Sequence, residues 1–340
     1  MHIEAVDLFC GIGGLTAGLI KSGITVKAGY DIESSCQYGY EHNNYGAEFV
    51  LKDVAQVSAE EIESWYSKGA IRLLAGCAPC QPFSTYNQGK DATLDKKWPL
   101  LYHFSRLIEE VRPELVTMEN VPDVTRHEVY HDFVAKLENL GYRVSANKVN
   151  CVDYGIPQTR KRHVLLASLI SENVQLIDPT HDKPVTVKDT ILGLPNLDAG
   201  KQDVNDSLHI CSRLNEINMK RIKASKPGGT WKEWPESLVA KCHLKDSGSS
   251  YVGVYGRMEW DKPAPTITTQ CFGFGNGRFG HPDQHRAISL REAALLQTFD
   301  PAYRFFENNV SIKNGGKMIG NAVPVRLGEI VGLSLQTLFV

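Results

Sequence analysis

Between residue 5 and about residue 169, short apolar runs alternate with amphipathic stretches. The runs at 5–9, 25–31, 71–75, 115–118 and 163–168 predict strands, and the stretches at 13–22, 100–111 and 129–140 predict helices. The second helix must stop before Arg112-Pro113, and Gly141 caps the third. Alternation of this kind is the mark of βαβ units and an α/β sheet. After about Asp178 the alternation is lost, and proline and glycine become frequent, as in Lys226-Pro227-Gly228-Gly229 and Lys262-Pro263-Ala264-Pro265. A second, loop-rich domain is expected there. Residues 323–339 then predict an apolar helix with Pro324 in its first turn, returning to pack on the first domain. There is no internal repeat, low-complexity tract or heptad pattern.

Composition narrows the class. A chain of 340 residues can bury one large core or two smaller ones, and 42% hydrophobic with 22% charged residues describes a globular protein. The first seven residues lack a basic segment followed by an apolar one, and no apolar run approaches the roughly 20 residues of a membrane span. Eight cysteines without repeating spacing suit reduced thiols and a cytoplasmic location. The net charge of −2 argues mildly against a nucleic-acid partner, although an enzyme that surrounds its substrate needs only a positive cleft. Cations do gather locally, at Arg213, Lys220, Arg221, Lys223, Lys226, Lys232, Lys241 and Lys245, as a solvated face or one turned to DNA.

The candidate chemistry follows the apolar runs. Gly76-Cys77-Ala78-Pro79-Cys80-Gln81-Pro82-Phe83-Ser84 places a thiol at the rim of a sheet, where ligands dock in α/β proteins. Glu119-Asn120-Val121 follows a second run, and Gln158-Thr159-Arg160-Lys161-Arg162 precedes a third. A nucleophile, an acid and a guanidinium can together activate a flat, electron-poor ring. Near the N-terminus, Asp7-Leu8-Phe9-Cys10-Gly11-Ile12-Gly13-Gly14-Leu15 is a strand leading through a glycine turn into a helix. Its spacing is not GxGxxG and no Gly-Lys-Ser/Thr follows, which disfavours a nucleotide phosphate site. Asp31, ending the second strand, is placed to accept from ribose hydroxyls, and Asp53 is either a ligand-facing carboxylate or a cap. Cys77 and Cys80 have the spacing of a redox pair or half a zinc site. No second such pair completes a zinc site, and a redox pair leaves Glu119 and the arginines unexplained.

Taken end to end, these motifs resemble the DNA (cytosine-5)-methyltransferases of bacterial restriction-modification systems. The resemblance implies an α/β fold: a Rossmann-like S-adenosylmethionine-dependent methyltransferase core, with a mixed sheet and helices on both faces, plus a smaller loop-rich target-recognition domain. The core would comprise residues 1–178 and 305–340, and the recognition domain residues 179–304. S-adenosylmethionine would be held by Phe9, Gly11, Ile12, Gly13, Gly14, Asp31, Ile32, Asp53, Val54, Pro79, Leu100, Asn321, Ala322 and Val323. Cys80 would attack the cytosine ring, Glu119 would serve its N3 and amino group, and Arg162 would bind the ring carbonyl and steady Glu119. Arg160 and Gln81 would complete the catalytic set. No metal is implied.

Residues 82–99 match the family's mobile loop, which closes once the target base is flipped out, with Ser84 on a phosphate. The stretch from Arg286 to Gln297 matches the family's ninth motif, and Tyr255-Gly256-Arg257 belongs to the segment leading into it. Arg257, Lys220 and Arg221 would contact DNA. The expected partners are double-stranded DNA and a restriction endonuclease acting at the same site, around a monomer with no membrane association. Two alternatives share the fold: a tRNA-methylating branch and a catalytically silent DNA binder. The tRNA branch carries Cys-Phe-Thr in its recognition region, where this chain has Cys271-Phe272-Gly273, and the intact Cys80, Glu119 and Arg162 oppose a silent relative. Family members vary in the two residues before Pro-Cys, so Cys77 is expected to be incidental.

Overall fold

All five expected strands form, and two more join them. The computed structural model describes residues 2–79 and 99–339. Strands β1 (Ile3–Leu8), β2 (Thr25–Asp31), β3 (Glu48–Leu51), β4 (Ile71–Gly76), β5 (Leu115–Asn120), β6 (Arg143–Asn150) and β7 (Lys161–Ser168) make one sheet in the order β3-β2-β1-β4-β5-β7-β6. The first five are parallel, and β7 runs antiparallel to both β5 and β6. Every residue of β1 and β5 is buried, as central strands covered on both faces require. The two strands absent from the apolar pattern, β3 and β6, are the sheet's edges, where exposed positions interrupt the runs.

The helices, in chain order, are α1 (Gly14–Lys21), α2 (Gln37–Asn43), α3 (Ala59–Glu63), α4 (Pro99–Val111), α5 (Glu128–Asn139), α6 (Val187–Ile191), α7 (Glu216–Ala224), α8 (Asp246–Ser249), α9 (Leu290–Leu296), α10 (Ile312–Asn321) and α11 (Val325–Gln336). The chain divides into two units: Met1–Tyr154 with Lys161–Thr180 and Val323–Val340, and Gly155–Arg160 with His181–Ala322. The expected core of 1–178 is thus interrupted by Gly155–Arg160, which belong to the second unit, and it runs on to Thr180. The C-terminal return starts at Val323 rather than at 305, because α10 belongs to the second unit. Its Gly316 and Gly320 lie so close to Phe272 and the Thr268 backbone that a Cβ would come within 2.3 Å and 2.2 Å of them.

In the first unit, β1 to β2 and β4 to β5 advance across the sheet in opposite directions. Right-handed crossovers therefore put α1 and α4 on opposite faces. On the α4 face, Phe104, Leu107, Ile108, Phe133 and Leu137 pack with Val6, Leu74, Val116 and Leu165. On the other face α1 meets α11 at backbone distance. A Cβ on Gly18 would stand 2.3 Å from the Val325 carbonyl oxygen, and one on Gly328 would stand 2.9 Å from that of Leu15. Gly18→Ala is expected to lower unfolding stability by about 3 kcal/mol, since backbone cannot step aside as a side chain can. Urea denaturation with unchanged midpoint would show that the helices part freely. Pro324 sits at the N-cap of α11 rather than in its first turn. The stretch Ile312–Phe339 is apolar enough in composition to span a membrane, yet most of it is buried in protein, and the helix is broken between Asn321 and Val325.

The second unit has, among the described residues, no named strand, only isolated bridges between loops. Buried polar braces replace the missing ladders. Arg286 makes a bidentate ion pair with Glu292 (2.7 Å and 2.7 Å), and Glu292 also closes a capping box with Ser289 at the start of α9. Gln158 donates to the Leu296 carbonyl (2.8 Å) and to Gln297 (2.7 Å), and Gln297 donates to the carbonyls of Ile319 and Ala322. The segment expected as the family's ninth motif is therefore the hub of this unit.

Candidate active site at the strand ends

Strand order reverses between β1 and β4, and the loops leaving such a switch point form a crevice at the carboxyl ends of the strands. The glycine turn follows β1 there, and Cys77-Ala78-Pro79 follows β4. Phe9 and Gly11 adopt left-handed backbone (φ 60° and 53°), and Gly13 does so at φ 89°. For phenylalanine that conformation is costly and is held by its surroundings. The turn is tied down by two bonds: the Gly11 N–H donates to Asp31 Oδ2 (2.8 Å), and the Cys10 N–H to the Tyr30 carbonyl (3.1 Å). A Cβ on Gly11 would meet nothing within 4 Å among the described residues. Ile12, Gly13 and Gly14 are buried beneath it.

Asp31 accepts the Glu33 N–H as well (2.9 Å), yet burial raises its carboxyl above the ordinary value. Ile32 beside it is 72% exposed, a large apolar side chain left at the crevice edge. Asp53 caps the turn Val54–Gln56 by accepting from the Ala55 N–H (2.9 Å), which is the cap reading; its other oxygen takes no part in that bond. Val54 is buried, and Pro79 and Leu100 are half-buried. In the first unit, then, the β1 turn, Asp31-Ile32, Asp53-Val54 and Pro79 occupy the carboxyl ends of four neighbouring strands. Val323 is buried in that unit; Asn321 and Ala322 belong to the second.

The polar centre is at β5. Glu119 is 4% exposed. Arg162 on β7 approaches its Oε1 with Nε (2.8 Å), and the Cys77 thiol donates to its Oε2 (2.9 Å). Register explains both contacts: Gly76 pairs with Met118, which brings Cys77 level with Glu119, and Glu119 pairs across to Val164, two residues beyond Arg162. Asn120 donates to the Ala78 carbonyl (3.2 Å), fixing the backbone that leads into Pro79-Cys80. Behind them His163 packs edge-on against Tyr130, and burial holds its imidazole below the ordinary value against the pull of Glu119. Cys80, Gln81 and Ser84, with the expected loop at 82–99, fall on residues 80–98 outside the described ones, save Pro99, which opens α4.

Two supports under the glycine turn escaped sequence reasoning. Asp7 Oδ2 accepts from the Thr16 hydroxyl (2.7 Å), which also lies 3.1 Å from the Tyr40 hydroxyl. Full burial pushes the Asp7 carboxyl up to about 7. The only signal was an acidic residue inside an apolar strand. Cys77 and Asn120 were within reach of the motifs but needed the strand register to acquire partners.

In the second unit the arginine expectations change. Arg257 is 3% exposed, and its guanidinium donates to the carbonyls of Ile222, Ser225, His281 and Gln284 and contacts His285. It is an internal brace, and its expected DNA contact is withdrawn. Arg257→Ala is expected to destabilise this unit by about 3 kcal/mol or more, because several buried carbonyls lose their donor together. A thermal midpoint unchanged by the substitution would refute that brace. Arg221 is likewise drawn inward, donating to the Leu238 carbonyl (2.9 Å) with its guanidinium 5.1 Å from the Tyr255 ring centre. It remains half-exposed, and its neighbour Lys220 is exposed. Arg160 is buried and donates to the carbonyls of Ile267 (2.9 Å) and Ala322 (3.4 Å).

Known proteins resemble this chain along nearly its whole length. The family model for the C-5 cytosine-specific DNA methylases matches residues 3–337. The type II methylase M.HgiDII of Herpetosiphon aurantiacus is 52% identical over 337 residues, covering 97% of this chain and 94% of that protein. The type II methyltransferase M.Eco47II of Escherichia coli is 29% identical over 97% of this chain and 78% of its own length. Among solved structures, a DNA modification methyltransferase encoded within an E. coli prophage superposes with a TM-score of 0.76 at 25% identity, covering 99% of both chains. The methyltransferase EhMeth of Entamoeba histolytica has the same fold at a TM-score of 0.70 and 17% identity, over 100% of this chain and 98% of its own. With the family model spanning both units and a 52% identical relative matched along nearly its full length, this chain belongs to the C-5 cytosine-specific DNA methylases.

Proposed function

We propose that the protein transfers a methyl group from S-adenosylmethionine to carbon 5 of a cytosine flipped out of duplex DNA, through a transient bond between Cys80 and carbon 6. The observation that carries this reading is the carboxyl of Glu119, gripped by Arg162 on one oxygen and Cys77 on the other, beside the turn that leads to Cys80. Carbon 5 of cytosine is a poor nucleophile until a thiolate adds at carbon 6 and turns the ring into an enamine. A free thiol has a pKa of about 8.5, so attack gains from a proton delivered to ring N3 as the bond forms. Glu119 must carry a proton when the ring enters; it delivers that proton to N3 as the thiolate adds and takes it back as Cys80 leaves, while Arg162 fixes the carboxyl and meets the ring carbonyl. Gln81 and Arg160 complete the proposed set; within its own unit Arg160 holds the Ile267 and Ala322 carbonyls. Once carbon 5 carries the methyl group, loss of its proton and departure of Cys80 restore the aromatic ring.

S-adenosylmethionine, when bound, supplies an electrophilic methyl group on a sulfonium. The residues at the strand ends fit it. No described residue crowds Gly11, which leaves its backbone open to a ligand, Asp31 has lone pairs left for a ribose diol, and exposed Ile32 offers an apolar face to adenine. Asp53 would approach the adenine amino group, with Phe9, Pro79, Leu100, Asn321 and Val323 around the ligand.

A duplex carrying 5-fluorocytosine at the target is expected to trap a covalent adduct at Cys80, because fluorine cannot leave as a proton does. Bisulfite sequencing of DNA from expressing cells should reveal one methylated sequence. Unmodified DNA together with newly methylated tRNA would overturn the reading in favour of the RNA branch. As a relative of a type II methylase, the protein would protect sites that a partner endonuclease cuts. The second unit would supply target recognition, since it follows the catalytic motifs with loops and short helices around a small core of its own. Exchanging residues 180–280 for those of a relative with another target is expected to transfer that target while keeping the chemistry. Sequencing the methylated sites checks this, and an exchanged protein still marking the original site would place recognition elsewhere. Removing exposed Lys220 should weaken binding to all duplexes alike and reduce the log–log salt slope by about 0.9 per lost phosphate contact.

A further inference from the structure

We propose that Cys77 is a positioning residue whose weak donor keeps Glu119 Oε2 occupied until the cytosine ring replaces it. The inference rests on the reading of Glu119 as the group that meets the ring. The two carboxylate oxygens are held unequally. Oε1 lies 2.8 Å from Arg162 Nε without an aligned hydrogen bond, so its hold is the charge of the guanidinium alone, which no neutral ring displaces. Oε2 has the Cys77 thiol at 2.9 Å, and a thiol is among the weakest donors a side chain offers. A buried carboxylate oxygen without any donor would be unfavourable, whereas one held by a strong donor would resist the substrate. The thiol meets both demands. Its hydrogen rotates away at little cost when Oε2 takes up or delivers a proton. Oε2 is therefore the oxygen presented to ring N3 and the exocyclic amine, and Oε1 is the anchored one. The strand register makes the contact a built feature: Cys77 directly follows Gly76, which pairs with Met118, next to Glu119.

Serine separates this role from plain packing. It is close to cysteine in size and keeps a donor, so a structural role predicts that Cys77→Ser is tolerated better than Cys77→Ala. The placeholder role predicts the reverse order, because a hydroxyl bonded to a carboxylate is a strong, charge-assisted contact that competes with the ring. In single-turnover methylation of a duplex substrate, Cys77→Ala should be about threefold slower than the parent and Cys77→Ser about thirtyfold slower, on the scale where about 1.4 kcal/mol is tenfold. Both variants should bind S-adenosylmethionine as the parent does, by calorimetry, which shows that they fold. With Glu119→Gln as background, the gap between serine and alanine should close. A serine variant faster than the alanine variant overturns the proposal, as does a gap that persists without Glu119. Full activity of Glu119→Gln alone would instead overturn the parent reading, so the two failures are distinguishable.

Discussion

Cys80→Ser is expected to abolish methylation, by more than about a thousandfold in single turnover, while S-adenosylmethionine binding stays close to that of the parent. A serine hydroxyl ionises far less readily than a thiol, and neither Glu119 nor Arg162 is a base that would take its proton. The cofactor-side groups, from the Phe9 turn to Asp53, follow other strands than the one that leads to Cys80. A variant that binds the cofactor and the duplex yet transfers nothing is therefore the expected phenotype. Robust turnover by the serine variant would remove Cys80 from the nucleophile's role. So would a 5-fluorocytosine cross-link that maps to Cys77.

Glu119→Gln is expected to slow the chemical step by about 10²–10⁴, the usual value of a positioned general acid, with a much smaller change in duplex affinity. The amide retains the shape of the carboxyl and can still contact the base, but it has no proton to give to N3. Arg162 then faces a neutral oxygen and loses its ion-pair partner in a site where Glu119 is almost fully buried. Some of the rate loss should therefore appear as a looser Arg162. A parallel Arg162→Lys variant measures that share, since lysine keeps the charge but not the planar fork. An unchanged single-turnover rate for Glu119→Gln would mean that something else protonates the ring.

The parts of this fold legible in the sequence are those where burial is continuous. β1 and β5 announce themselves because both faces of each are covered. The edge strands β3 and β6 mix exposed and buried positions over short spans and do not. In the site, Glu119 and Arg162 come from their motifs, and the structure sets them 2.8 Å apart. Cys77 was dismissed as incidental because its partner lies on the neighbouring strand, and nothing in a linear reading sets the register of β4 against β5. Arg257 was misread for a related reason. A cation in a loop-rich stretch suggests a surface, but its acceptors are carbonyls scattered from Ile222 to Gln284, converging only once the loops fold. Loop-rich units without strand ladders recruit buried arginine and glutamine for that work, and no periodicity marks which ones.

The crossing of α1 and α11 at Gly18 and Gly328 joins two helices that lie far apart in the sequence. A loop of that length is closed late, because its entropy cost is met before the contact that offsets it. Packing of α11 against α1 is therefore expected among the last events of refolding, after the central strands have paired. Substitutions at either glycine should accordingly speed unfolding more than they slow folding.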